Sequence, residues 1–181
     1  GTVRIRTWPT ETTQVGGDLE QLLPLWGASV VRDGDDLVFD GGDGLRGGRA
    51  IPGVTVDLSR GGELAPALVG LAALADGPTT IDGIGHLRGH ETDRLAALAA
   101  DVNGLGGAVT ELDEGLHLEP RPLHGGHWGA FADHRMAHAG AIVGLVTDGV
   151  AVDDIASTAK TLPQFPELWA ALVATGGDGP A

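Results

Sequence analysis

From His86 to Arg94 the chain reads His-Leu-Arg-Gly-His-Glu-Thr-Asp-Arg, so seven polar or charged side chains crowd into nine residues. Arg88 and Arg94 offer planar guanidinium forks that suit a carboxylate or a phosphate. Glu91 offers a group that can move a proton. Leu95, Leu98, Val102 and Leu105 follow at spacings of three and four, which predicts a helix with one apolar stripe, and Gly106-Gly107 stops it. The polar cluster therefore lies in a loop entering a helix N-terminus, where free N–H groups and the positive dipole end favour anions. A plainer reading stays open: Glu91, Thr92 and Asp93 cap that helix.

Composition narrows the classes of function. The 181 residues are 42% hydrophobic, enough for a real core, and carry a net charge of −14. That acidity argues against nucleic-acid and membrane-surface partners. No apolar run approaches the roughly 18 residues of a membrane span, and no signal peptide is visible, so a cytoplasmic location is expected. The absence of cysteine removes disulfides, thiolate chemistry and zinc–thiolate sites. Lys160 is the one lysine, so any task that needs an ammonium falls to it or to another chain. Strand-like alternation begins at Thr2, directly after Gly1, and reads either as a cut from a longer protein or as processing of the start of the chain.

The elements that must position these groups follow from periodicity. Strands are expected at Thr2–Arg6, Val54–Asp57, Thr79–Asp82 and Val150–Val152. Hairpins are expected at Ala28–Val31 with Asp36–Phe39, and at Ala108–Thr110 with Leu116–Leu118. Helices are expected at Leu19–Trp26, Glu63–Ala75, Leu95–Leu105, Ala132 to about Leu145, and Phe165–Val173. Arg121–Trp128 and Thr158–Thr161 read as loops, and 176–181 as a frayed tail. Gly27-Ala-Ser-Val-Val is echoed at Gly107-Ala-Val-Thr, and the stretch from Ala75 to Ile84 is echoed from Thr147 to Ile155. These echoes predict an α/β (α+β) chain of repeated βαβαββ units, with helices packed against mixed sheets. Residues 1–175 are expected to form a single lobe, and the helix starts at Glu63, Glu91 and Arg135 are expected to gather at one face.

Three segments carry a family resemblance. His90-Glu-Thr-Asp-Arg-Leu95, Asp133-His-Arg-Met-Ala137 and Thr158-Ala-Lys-Thr-Leu-Pro163 occur in the order, and near the spacings, of the corresponding motifs of the 5-enolpyruvylshikimate-3-phosphate synthase family. The resemblance runs over nearly the whole chain. It implies a two-lobe enolpyruvyl transferase of which this is the C-terminal lobe, with the N-terminal lobe absent. It further implies transfer of the enolpyruvyl group of phosphoenolpyruvate to the 5-hydroxyl of shikimate 3-phosphate, with loss of phosphate and no cofactor.

By the same resemblance, Glu91 is the acid/base at the enolpyruvyl carbon. Arg94 and Arg135 clamp phosphoenolpyruvate, and Lys160 meets the phosphoryl group. Glu63 takes the place of a catalytic aspartate near the 5-hydroxyl, one methylene longer. His86, His90 and His134 contact substrate, with His90 standing where the family often has lysine, and Asp133 orients its turn. His138 has no assigned role. Two other readings remain: a related transferase acting on a nucleotide sugar, and a non-catalytic anion-binding lobe.

Overall fold

The computed structural model describes residues 1–176. Alternating residues near the start form β1 (Thr2–Ile5), and the expected first hairpin forms β2 (Ser29–Asp33) and β3 (Asp36–Asp40). β3 lies in the middle of an antiparallel sheet, order β1-β3-β2. The hairpin closes on Gly34 at φ 62°, a left-handed position that glycine takes without strain. The helix expected at Leu19–Trp26 is only α1 (Leu19–Leu22), continued by a 3-10 turn from Leu23 to Trp26. Pro24 is the reason: it has no N–H to donate to the preceding turn.

One βαβαββ unit is complete. β4 (Thr55–Asp57) and β5 (Thr79–Asp82) are parallel, with Val56 opposite Ile81, and α2 (Ala65–Ala72) makes the crossover that parallel strands require. α2 is shorter than its apolar pattern, which began at Glu63. A 3-10 turn at Gly62–Leu64 leads in, and i→i+3 bonds to Leu74 and Ala75 lead out. α3 (Arg94–Gly104) follows, then the hairpin of β6 (Ala108–Glu111) and β7 (Leu116–Glu119), giving the order β4-β5-β7-β6. Leu95, Leu98, Val102 and Leu105 are at most 1% exposed, so the predicted stripe is the buried face of α3.

The echo after Thr147 marks a second parallel pair. β8 (Gly126–Trp128) and β9 (Val150–Val152) flank α4 (His134–Gly144) as β4 and β5 flank α2. β8 falls inside a stretch expected to be irregular; three residues are too few to show alternation. Lys160 ends a 3-10 turn, Ile155–Lys160, where a loop was expected. α5 (Phe165–Gly176) closes the described chain, so Gly176 is helical and the rest of the expected tail lies outside the described residues. α2 packs on α4 so closely that a Cβ on Gly70 would lie 3.0 Å from the Ala139 carbonyl oxygen. Among the described residues no helix is long and apolar enough to cross a membrane.

Candidate active site

Four segments meet where α2, α3 and α4 begin. Glu63 comes from the turn before α2, and His86, His90 and Glu91 from the loop before α3. Arg94 opens α3, Asp133 and His134 open α4 with Arg135 next, and Lys160 ends its 3-10 turn. Capping and site-building are divided between neighbours. Asp93 caps α3 by accepting from the Ala96 N–H at 3.1 Å, which leaves Glu91 and Arg94 to turn inward. Asp133 caps α4 through the Arg135 N–H at 2.9 Å.

Arg94 is the centre of the cluster and is 1% exposed. Its Nε donates to Asp133 Oδ2 at 2.7 Å, and Nη2 donates to Asp133 Oδ1 at 3.3 Å and to Glu91 Oε2 at 3.0 Å. Its Nη1 reaches Glu63 Oε2 and His90 Nδ1, each at 3.3 Å. Arg94, which the resemblance makes part of an anion clamp, has its fork filled by the chain's own carboxylates. Arg135 donates from Nη1 to the Glu63 carbonyl at 2.8 Å, and its Nε is ion-paired with the Glu63 carboxylate. The Lys160 ammonium is ion-paired with Glu91 Oε1 and remains half-exposed. Glu63, Glu91, Arg135 and Lys160 are each partly open to solvent, while Asp133 is fully buried beneath them.

The charges set one another. The Lys160 ammonium on Glu91 holds that carboxyl down to about 2, and Arg94 adds to the effect. Burial alone would lower the Arg94 guanidinium, but Asp133, Glu63 and Glu91 together outweigh it and raise it. Burial lowers His134, with Arg135 and Lys160 adding to it against Asp133, so its imidazole is biased to the neutral form.

The histidines divide. His90 Nδ1 lies 3.4 Å from Glu63 Oε1 and 3.9 Å from Glu91 Oε2. The His86 ring lies 5.9 Å from that of His90 and covers Gly62, next to Glu63. His134 is buried beside Asp133. His138 stands one turn further along α4, tilted against Phe165 at 4.5 Å, so it is a packing residue. Arg88 turns away: Nη1 donates to Glu111 at 2.6 Å and Nη2 to the Leu112 carbonyl at 3.0 Å. Among the described residues no three His, Cys, Asp or Glu side chains converge as metal donors. Two carboxylates that carried no signal in sequence, Asp101 and Asp153, grip the backbone before α4. Their bonds to Gly129 and Ala130 span 28 and 23 residues, beyond any local pattern.

The family model for EPSP synthase (3-phosphoshikimate 1-carboxyvinyltransferase) matches residues 1–169. The chain belongs to the EPSP synthase family. A curated 3-phosphoshikimate 1-carboxyvinyltransferase of Kocuria rhizophila is 56% identical over 178 residues, which are 98% of this chain and 38% of that protein. An EPSP synthase structure from Acinetobacter baumannii superposes with a TM-score of 0.76 at 24% identity, over 94% of this chain and 41% of its own. The enolpyruvyl transferase NikO from Streptomyces tendae gives a TM-score of 0.63 at 22% identity, over 84% and 34%. These two likenesses show the EPSP synthase lobe fold. The chain spans about two fifths of the length of the relatives it matches.

Proposed function

We propose that residues 1–175 form a single lobe of a two-lobe cytoplasmic enzyme. It transfers the enolpyruvyl group of phosphoenolpyruvate to the 5-hydroxyl of shikimate 3-phosphate and releases phosphate. The observation that carries this reading is the convergence of Glu63, Glu91, Arg94, Arg135 and Lys160 from four separate segments onto one partly open face. Both substrates are anions, and the reaction needs two things that cluster can supply: cations against carboxylate and phosphate, and carboxylates that move protons.

The placement of the side chains supports the following roles. Arg135 and Lys160 are the exposed cations and take the carboxylate and phosphate of phosphoenolpyruvate. Arg94, gripped by Asp133, lies beneath them and fixes Glu91 and Glu63. As Lys160 moves to the phosphate, Glu91 loses its strongest stabilising partner, its carboxyl rises from about 2, and it can carry the proton delivered to C3. Glu63 accepts the proton of the attacking 5-hydroxyl, and the oxygen adds to C2. Loss of the C3 proton to Glu91 and of phosphate toward Lys160 completes the transfer. His86 and His90 line the approach of the second substrate, His134 lies buried beside Asp133, and an N-terminal lobe supplies the rest of the substrate site.

The test is to combine this chain with a complementary N-terminal lobe and follow phosphate release. The chain alone should give none, since catalysis requires both substrates positioned together. In the combined protein Lys160→Ala should lower kcat by on the order of 10². Glu91→Gln should suppress deuterium exchange into the C3 methylene. Robust release by this chain alone, or normal exchange with Gln at 91, would overturn the reading.

A further inference from the structure

Phe131 and Ala132 sit at φ 53° and 54°, and the Asp133 N–H donates to the Ala130 carbonyl at 2.8 Å. Residues 130–133 therefore make a tight turn with left-handed φ at both central positions. Glycine or asparagine takes such positions cheaply, whereas phenylalanine and alanine do so under strain. Strain of this kind persists only where the surroundings over-determine it.

Here two carboxylates from separate elements take the two amides just before the strained pair. Asp101, on α3, accepts the Gly129 N–H at 3.0 Å, and Asp153, just past β9, accepts the Ala130 N–H at 2.8 Å. The Asp153 N–H donates to the Trp128 carbonyl at 3.2 Å, and the Trp128 indole N–H to the Met136 carbonyl at 2.9 Å, which ties the base of the turn to α4. Directly after the turn come Asp133, which grips Arg94, then His134 and Arg135.

Asp101 has no part in the proposed chemistry. It is 7% exposed, and its Oδ2 has no partner. Burial lifts its carboxyl to about 6, with the Gly129 N–H and His127 pulling it down and Asp153 pushing it up. A carboxyl raised in the folded state binds protons more readily there than in the unfolded chain, so stability is lost as pH rises from its ordinary 3.8 to about 6 and stays at that lower level above. A buried acid kept at that cost fits a positional task.

We propose that Asp101 and Asp153 are positioning residues: as a pair they pin the strained turn and thereby set where Asp133 and Arg135 stand in the anion cluster. The proposal rests on the anion-site reading above. It is tested in the full 181-residue chain with Asp101→Ala, Asp101→Asn and Asp153→Ala. One readout is native-state hydrogen exchange at amides 129–135, and the other is NMR titration with inorganic phosphate.

Both alanine variants should lose protection at those amides and weaken phosphate binding, each by about tenfold, the scale of one hydrogen bond. Asp101→Asn keeps the acceptor without the charge. It should preserve both readouts and unfold at a higher temperature than the parent at neutral pH. Should Asp101→Ala fail to fold, Asp153→Ala carries the test, because its side chain is partly exposed. Unchanged exchange and affinity in Asp153→Ala would overturn the proposal, as would an Asp101→Asn protein as impaired as Asp101→Ala. A parent chain that binds no phosphate counts against the anion-site reading, and the exchange pattern then decides this proposal by itself.

Discussion

Glu91 and Glu63 occupy the donors of Arg94, Arg135 and Lys160, the cationic cluster to which the proposed function assigns anion binding. An internal carboxylate on Lys160 and Arg94 competes with a ligand for the same hydrogen bonds. Glu91→Gln removes that competitor's charge and frees the ammonium, so phosphate or phosphoenolpyruvate should bind about three- to tenfold more tightly, the scale of one partly exposed ion pair. Calorimetric titration checks this, and weaker binding would show that Glu91 is not a stand-in for the ligand. The same pair has an acid signature. The Glu91 carboxyl is depressed from an ordinary 4.5 to about 2, so its contribution to stability is present above that ordinary value and is lost as pH falls toward 2. Sequence could name Glu91, Arg94, Arg135 and Lys160 because short motifs surround them. It could not say that the Arg94 fork is already filled, because Asp133 lies 39 residues away.

At the scale of elements, the apolar stripe of α3 was legible because burial on one face writes a period of three and four into the sequence. The limits of α2 were not, since leucine and alanine suit both a 3-10 turn and an α-helix, and Pro24 shortened α1 without disturbing its apolar pattern. β8 was invisible for a different reason: its register comes from β9, more than twenty residues on, not from its own three residues. The internal echoes did foretell that α2 and α4 play equivalent parts. They meet at Gly70, where a side chain would press on the Ala139 carbonyl. Gly70→Val should therefore force the two helices apart and destabilise the chain by about 1–3 kcal/mol. Chemical denaturation measures it, and an unchanged midpoint would mean that the packing has slack.

At the scale of the whole molecule, the cluster cancels its own charge: Glu63, Glu91 and Asp133 stand against Arg94, Arg135 and Lys160. The chain around it carries −14. On the proposed function, an approaching anion would thus meet no attractive far field, only repulsion from the acidic surface, until it is close enough to displace a glutamate. Capture would then be a short-range exchange of partners, with nothing drawing the ligand in from a distance. Salt screens the repulsion over a Debye length of about 10 Å at 0.1 M. In stopped-flow experiments, moderate salt should hold the association rate of phosphate constant or raise it, whereas an electrostatically steered site slows steeply. The site would thus hold its rate of capture in a salty medium, while the residence time of the bound anion shortens.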